Sequence, residues 1–557
     1  MSVNRSSHPG GPPRPPTAPA LPGRTTVPAH RAVPATARPQ ASTPPVHRPS
    51  AIRAVHRPAP HHDRGLRHRT APRAASVTAD PSRGARTVSR RPSLRALCGA
   101  ALLIACTACS GGGDAPRAGS GRAGASGAGD PLFPGLGNGG YDVTHYNLTL
   151  DLASGARRLK ATADITARAT TTLRSFSLDL DGLHVRQATV DGLAATFTRR
   201  GTELVVTPRS PLAKGRIFKT RIRYDGAPKT VTDPDGSIEG WVPTADGAVG
   251  LGEPAGSMAW FPGNHHPSDK AAYDISVTLP DDGSTAVSNG VLESRQVDGD
   301  RRTFRWHVRE PMASYLATVA VGDFEVTDTT TADGVPQYDA VDREEREGSQ
   351  DVTAQVGEIL AWQSELFGPY PFAATGVVID DNPDLGYALE TQTRPYFNSA
   401  PDELLLVHEF AHQWFGNSVT PRSWRDIWLN EGFATYAEWL WQEQRQGRDA
   451  DTIFRGYWDG TDRASDGIWA FPPAEPPTAA RLLDPPVYKR GAMVLHKVRR
   501  AVGDDTFFDI LRTWARTHRH RNADTTQFIA LCERKAGKDL GPLFDTWLYG
   551  NGKPARP

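Results

Sequence analysis

The run HEFAH at residues 408–412 constrains the fold of this chain more than any other feature. A helix places residues i and i+4 on one face, one turn apart, so His408 and His412 can reach the same cation. Glu409 lies about 100° round the helix from His408, where a carboxylate can contact water on that cation without binding the cation itself. Glu431 follows His412 by nineteen residues, in the run LNEGFA, and lies on a second predicted helix, about 424–442. The spacing therefore predicts two helices that supply three ligands to one metal ion.

Two histidines and one carboxylate form a ligand set typical of catalytic zinc, which keeps a fourth tetrahedral position for water. We therefore expect one Zn²⁺ per chain, bound by His408, His412 and Glu431. Glu409 is the candidate general base, which takes a proton from the attacking water and passes it to the leaving amine. HExxH also occurs by chance in salt-bridged surface helices, and the third ligand is the feature that favours a metal site.

Two polar residues beside the third ligand are candidates for orienting the ligands. Asp426 and Asn430 stand just before Glu431, and either could accept a hydrogen bond from a ligand N–H group. A helix cap or a solvent-exposed position is the alternative for both residues.

Composition divides the chain into two unlike parts. Residues 1–100 contain 17 arginines, no lysine and 2 aspartates, whereas the rest of the chain carries 47 basic and 60 acidic residues. Residues 1–88 are rich in Pro, Arg, Ala and His without apolar periodicity, which predicts disorder. An arginine-rich tail can bind nucleic acid, but the segment that follows explains this region better, so we expect no nucleic-acid partner.

Residues 89–109 have the pattern of an export signal. Arg90 and Arg91 precede an apolar stretch, 94–108, that is too short to span a bilayer and ends in small residues and cysteines. The run SRRPSLR resembles a twin-arginine signal, and LIAC resembles a lipobox. Cys106 and Cys109 are rival candidates for lipidation.

This signal predicts an exported protein, either extracellular or a cell-surface lipoprotein of a bacterium, with an N-terminal lipid anchor as its only membrane association. An export signal preceded by 88 residues would not lie at the N-terminus, so we expect translation to start downstream, near Val88.

The remainder predicts an α+β fold. Residues 110–139 are rich in Gly, Ser and Ala and are expected to form a linker. Residues 140–330 alternate apolar and polar positions in short runs separated by turn signals, which predicts an antiparallel β-rich domain. Residues 331–557 follow a helical period, with short strands expected at 372–379 and 389–393.

The motifs together resemble the aminopeptidase N family of zinc metallopeptidases, the gluzincins that include leukotriene hydrolase. HEFAHQWFGNSVT followed by WLNEGFATYAE is similar to the zinc signature of that family. The runs YDVTHYNLTLDL, EPAGSMAWFPGNHHPSDKAAY, GYALETQ and YKRGAMVL match other family landmarks in order. The resemblance spans Tyr141 to Pro554 and implies a thermolysin-like, mainly helical zinc domain after the β-rich domain. The chain ends soon after FDTWLYGNGKP, which implies the short two-domain bacterial form.

The resemblance also implies roles for individual residues. Tyr488, in YKRGAMVL, matches the tyrosine that donates a hydrogen bond to the developing oxyanion, a task suited to a phenol. A core-edge aromatic is the alternative for this residue. Glu390 and Glu253 match positions that bind the α-ammonium of the substrate, where carboxylates form charge-assisted hydrogen bonds.

The chain departs from the family at two places. Tyr387 takes the place of the glycine in the GAMEN motif, with Leu389 and Thr391 at its methionine and asparagine, so we expect Tyr387 to reshape the first substrate subsite. His265 and His266 stand where relatives often have an acidic or polar residue, and we expect both to be solvated turn residues.

The sequence thus predicts a zinc aminopeptidase that acts on peptides with a free N-terminus, with its site in a cleft between the two domains. A thermolysin-like endopeptidase uses the same ligands and base, and a non-catalytic surface lipoprotein with a structural zinc site is the other alternative. The side chain preferred at the first substrate position, the oligomeric state and the acylated cysteine stay open.

Overall fold

The computed structural model describes residues 121–461 and 465–555. The predicted disordered segment, the export signal, Cys106 and Cys109 lie outside these ranges. Within them, no helix combines the length and the apolar character that a membrane crossing requires.

The first part of the chain forms the β-domain, which we define by its seventeen strands. The strands are β1 Arg122–Ala123, β2 Tyr141–Leu152, β3 Leu159–Ala169, β4 Leu173–Asp179, β5 His184–Val190, β6 Leu193–Ala194, β7 Thr196–Arg200, β8 Glu203–Thr207, β9 Ile217–Gly226, β10 Thr230–Thr232, β11 Ile238–Pro243, β12 Ala248–Leu251, β13 Lys270–Pro280, β14 Thr285–Ser288, β15 Val291–Asp298, β16 Arg301–Ala313 and β17 Val319–Gly322.

These strands form three sheets, in the orders β15-β16-β13-β2-β3-β9-β5-β6, β1-β4-β8-β7 and β10-β11-β12-β17-β14. Pairing is antiparallel except between β13 and β2 and between β1 and β4. Side chains alternate across a strand, and β13 buries every second residue, from Ala271 to Leu279, while the residues between them are partly exposed. This alternation is the pattern that predicts a β-rich domain with one face in the core.

The second part, the helical domain, contains eight α-helices and six short strands among the described residues. The strands are β18 Phe324–Thr330, β19 Pro336–Asp342, β20 Val378–Ile379, β21 Tyr396–Phe397, β22 Val419–Pro421 and β23 Arg521–Ala523. The helices are α1 Arg346–Phe367, α2 Glu403–Ala411, α3 Trp428–Arg445, α4 Ala450–Asp459, α5 Gly491–Val502, α6 Asp504–Thr517, α7 Thr525–Ala536 and α8 Gly541–Trp547. The predicted α+β fold, β-rich first and mainly helical second, is confirmed. The strands expected at 372–379 and 389–393 are shorter than predicted, since only β20 and two single bridges, Thr375 with Gln337 and Leu389 with Tyr396, form there.

Residues 121–139 are not the linker that their composition predicts. β1 pairs with β4, and Asp130 is buried, where its carboxylate accepts hydrogen bonds from the Ser423 hydroxyl at 2.7 Å and the Trp424 N–H at 2.8 Å. A Cβ added to Gly124 would lie 2.6 Å from the Gly139 carbonyl oxygen. Glycine here permits close backbone approach rather than flexibility, and the segment packs on both domains.

His265 and His266 are buried, at 2% and 4% exposure, so the expectation of solvated histidines was wrong. The His265 Nε2 atom lies 3.0 Å from the Phe261 carbonyl oxygen, and the His266 ring lies between Ser268 and Asp130. His266 is buried because the segment that carries Asp130, expected to be part of a linker, packs against it.

Candidate metal centre

The three predicted ligands converge in the interior of the helical domain. His408 lies in α2, His412 is its C-terminal cap, and Glu431 lies in the first turn of α3. The Glu431 Oε2 atom is 3.3 Å from His408 Nε2 and 3.5 Å from His412 Nε2. All three side chains are buried. Asp402 begins α2 by accepting the Leu405 N–H at 2.9 Å, a cap that favours a helix start at this point.

The geometry of this cluster fits zinc. Two ligand atoms ~2.1 Å from a tetrahedral cation lie ~3.4 Å apart, which agrees with the separations of Glu431 from His408 and His412. Burial tends to lower the pKa of His408, but its hydrogen bonds to Glu431 and Glu438 raise that pKa to about 9. Burial tends to raise the pKa of Glu431, but the two imidazoles lower it to about 2. The Glu431 carboxylate is therefore ionised at neutral pH and can bind a cation.

The second ring nitrogen of each histidine is hydrogen-bonded. His408 Nδ1 lies 2.7 Å from Glu438 Oε1, and His412 Nδ1 lies 3.1 Å from the Phe415 carbonyl oxygen. When Nδ1 of each histidine carries the proton and donates it, the Nε2 atom has a free lone pair that can bind the metal ion. Glu438 follows Glu431 by two helical turns and so lies on the same face of α3, a spacing that could have identified it from the sequence.

Among the described residues, neither candidate for orienting the ligands, Asp426 or Asn430, accepts a hydrogen bond from a ligand N–H group. Asp426 Oδ1 accepts hydrogen bonds from the hydroxyl of Thr525 at 2.6 Å and from its backbone N–H at 3.2 Å, which joins the turn before α3 to the start of α7. The Asn430 side-chain amide donates to the Tyr315 hydroxyl at 3.3 Å.

Glu409 lies beside the ligands without joining them. It is 5% exposed, and one ligating atom from each of Glu409, Glu390 and His412 lies within 4.8 Å of the others. Its Oε2 atom has no hydrogen-bond partner among the residues that the structure describes. Burial raises the pKa of Glu409 to about 7, so this carboxylate can both accept and release a proton near neutral pH.

Two further carboxylates meet next to Glu431. Glu253 follows β12 in the β-domain and Glu390 precedes β21 in the helical domain, and carboxylate oxygens of these two residues and Glu431 lie within 4.8 Å of one another. Burial raises the pKa of the Glu390 carboxyl. The Glu431 carboxylate also raises this pKa, whereas the nearby His412 lowers it, and the net effect is a raised pKa. Acidic groups gathered in a buried space favour a positively charged occupant.

Tyr387 reaches from the Glu390 segment to the β-domain. Its hydroxyl donates to the carbonyl of Ile238, at the first residue of β11, at 2.7 Å. The Tyr387 side chain therefore bridges the two domains.

Tyr488 lies in a π-helical turn, Pro486–Arg490, that runs into α5. Its ring is nearly parallel to that of His408, with centroids 6.1 Å apart and an interplanar angle of 21°. The Arg490 guanidinium anchors this turn by donating to carbonyl oxygens at the end of α8, including that of Trp547 at 2.9 Å. The structure thus places the Tyr488 ring alongside a metal ligand.

Two family models match the chain. The "Peptidase M1 N-terminal domain" matches residues 143–316, in the β-domain, and the "Peptidase family M1 domain" matches residues 389–547, which include the metal centre. "Aminopeptidase M1" of Arabidopsis thaliana is 27% identical over 336 residues, which cover 55% of this chain and 37% of the plant protein. The chain therefore spans little more than a third of the length of the curated relatives it matches.

A solved structure matches over nearly its whole length. The M1 zinc metallopeptidase from Deinococcus radiodurans is 30% identical, with a TM-score of 0.71, and the match covers 77% of this chain and 98% of that one. A mutant of that enzyme was solved with a Tyr-Ser-Ala substrate, and it aligns with the same TM-score and identity. From these matches and the ligand geometry, the chain belongs to the M1 family of zinc metallopeptidases.

Proposed function

We propose that the chain is a zinc-dependent aminopeptidase that hydrolyses the first peptide bond of substrates with a free N-terminus. The observation that carries this proposal is the position of Glu253 and Glu390, whose carboxylates meet the ligand Glu431 in a buried space. A substrate ammonium held by these carboxylates would present its first carbonyl to the metal. The name of the plant relative and the tripeptide bound to the Deinococcus enzyme agree with this class of substrate.

Each residue has a distinct chemical role. Bound zinc would supply a Lewis acid that polarises the scissile carbonyl and acidifies water. Glu409 takes the proton of the attacking water on its free oxygen and then gives it to the leaving amine. Tyr488 donates a hydrogen bond to the oxygen on which negative charge develops.

The carboxylate pair sets the cleavage position. Carboxylates that face an ammonium in a dry pocket form strong, charge-assisted hydrogen bonds. They also fix the distance between the free amine and the scissile carbonyl, which favours removal of a single residue. Tyr387, whose hydroxyl donates to the Ile238 carbonyl, is proposed to shape the first subsite.

A panel of aminoacyl fluorogenic substrates, each with an N-acetylated counterpart, tests the activity on the full-length chain. We expect free-amine substrates to be cleaved, the activity to disappear with a zinc chelator, and added zinc to restore it. Cleavage of the acetylated substrates alone would show an endopeptidase. Absence of turnover for both sets with zinc bound would show a non-catalytic protein.

Glu390→Ala provides a second test in the same panel. Loss of one charge-assisted contact should raise KM for free-amine substrates about tenfold or more. Glu365→Ala, in an exposed position on α1, is the matched control and should leave KM unchanged. Equal effects of Glu390→Ala on amine-blocked and free-amine ligands would contradict the assigned role.

We also propose that the protein is exported and tethered through Cys106 or Cys109. The support is the signal pattern of residues 89–109. Mass spectrometry of the N-terminus of protein from its native host tests this, since an unprocessed N-terminus would contradict it.

A further inference from the structure

The turn at residues 415–418, directly after α2, supports two parts of the site. The Phe415 carbonyl oxygen accepts the hydrogen bond of His412 Nδ1 at 3.1 Å. The Asn417 side-chain amide donates to the backbone carbonyl of Glu390 at 2.7 Å. Gly416 allows the turn to pass close to the ligand, since a Cβ there would lie 3.3 Å from His412 Nδ1. One short turn therefore orients a metal ligand and holds the backbone of an amine-binding residue.

The turn is held from the other side by the β-domain. Lys270, the first residue of β13, donates from Nζ to the carbonyl oxygens of Asn417 at 2.8 Å and Ser418 at 3.0 Å. The Tyr315 hydroxyl lies 3.4 Å from the Gly416 carbonyl oxygen. Three consecutive carbonyl groups of the turn thus face two side chains from the β-domain.

The environment of Lys270 is unusual for an ammonium group. Among the residues that the structure describes, no carboxylate forms an ion pair with it. Burial lowers its pKa to about 7, which reflects the energy needed to keep an ammonium away from water. Its bonds to the two carbonyl oxygens compensate for part of this cost.

We propose that Lys270 is a positioning residue for the amine-binding carboxylate Glu390, acting through the turn 415–418 and the Asn417 side chain. This inference rests on the proposed aminopeptidase function. Two bonds from one ammonium fix the orientation of the turn, and the turn aims the Asn417 amide at Glu390. The only other described side chain that donates to this carbonyl, Gln413, does so at 3.4 Å, so it would not replace Asn417.

Lys270→Met in the full-length, zinc-loaded chain tests the proposal, because it keeps the length of the side chain and removes the donors. We expect KM for free-amine substrates to rise about tenfold with kcat changed less than threefold. L-arginine serves as a probe because it carries a free α-ammonium group and is not cleaved. Its binding, measured by calorimetry, should weaken by the same factor, and zinc content should stay at one ion per chain. Lys270→Arg retains donors for both carbonyls and should recover most of the affinity.

Lys229→Met is the matched control, because Lys229 also belongs to the β-domain but pairs with Asp181 at the surface. A double-mutant cycle with Asn417→Ala supplies the specific readout. If Lys270 acts through Asn417, the second substitution should add little to the first.

Two results would overturn the proposal. One is a Lys270→Met variant with a lower Tm but unchanged KM and arginine affinity, which would show a purely structural lysine. The other is full additivity with Asn417→Ala. Failure of the wild-type chain to prefer free amines would instead contradict the proposed function, so the two failures are distinguishable.

Discussion

Glu409→Gln should retain zinc and lose turnover by ~10²–10⁴-fold, the usual contribution of a general acid–base residue. The amide has nearly the same shape as the carboxylate, so the buried pocket should keep its packing. The amide, however, cannot accept the proton of the attacking water. The Oε2 atom of Glu409 has no described hydrogen-bond partner, so its substitution breaks no observed hydrogen bond at that atom. The measurement is kcat/KM on the preferred aminoacyl substrate, together with zinc content by mass spectrometry.

Glu403→Gln is the matched control for this variant. Glu403 lies at the start of the same helix, α2, where its carboxylate accepts a hydrogen bond from Gln446 at 2.7 Å. We expect this change to leave both turnover and zinc content near wild-type levels. Wild-type turnover in Glu409→Gln would show that another group acts as the base.

Tyr488→Phe should lower kcat by ~100-fold or more, because one oxyanion donor typically contributes that much. KM should change little, since the hydroxyl is proposed to bond only to charge that develops during the reaction. The phenylalanine ring can keep the parallel arrangement with His408, so the metal ligand should stay in place. Steady-state kinetics and zinc content together measure the effect.

Tyr370→Phe is the comparison for Tyr488. It removes a hydroxyl that donates to the Ala374 carbonyl at 3.1 Å, in the same domain but outside the site. Its kcat should match that of the wild type. A Tyr488→Phe variant with unchanged kcat, or one with a comparable loss of substrate affinity, would contradict the assignment.

Sequence spacing alone was sufficient to predict the site residues that lie on a single helix. His408, Glu409 and His412 belong to a single helix, and helical geometry alone predicts which of them share a face. Glu431 could be added because it lies on the next predicted helix and completes a known ligand set. The structure places these ligands together as expected.

Sequence reasoning failed for contacts that depend on how α3 is rotated against α2. Asp426 and Asn430 are near Glu431 in sequence but point to α7 and to the β-domain. Glu438 is seven residues away, yet it faces His408. Neighbours in sequence diverge by about 100° on a helix, so the partner of a ligand is set by packing as well as by spacing.

The sequence by itself was enough to predict the zinc, to nominate Glu409 as the base and to order a β-rich and a helical domain, because these depend on local periodicity and ligand spacing. Only the tertiary structure decided that residues 121–139 pack on the fold, that His265 and His266 are buried, and that Lys270 contacts the turn after α2. Lys270 and Asn417 are 147 residues apart. Contacts over such separations arise from the docking of whole domains, which no local pattern of residues records.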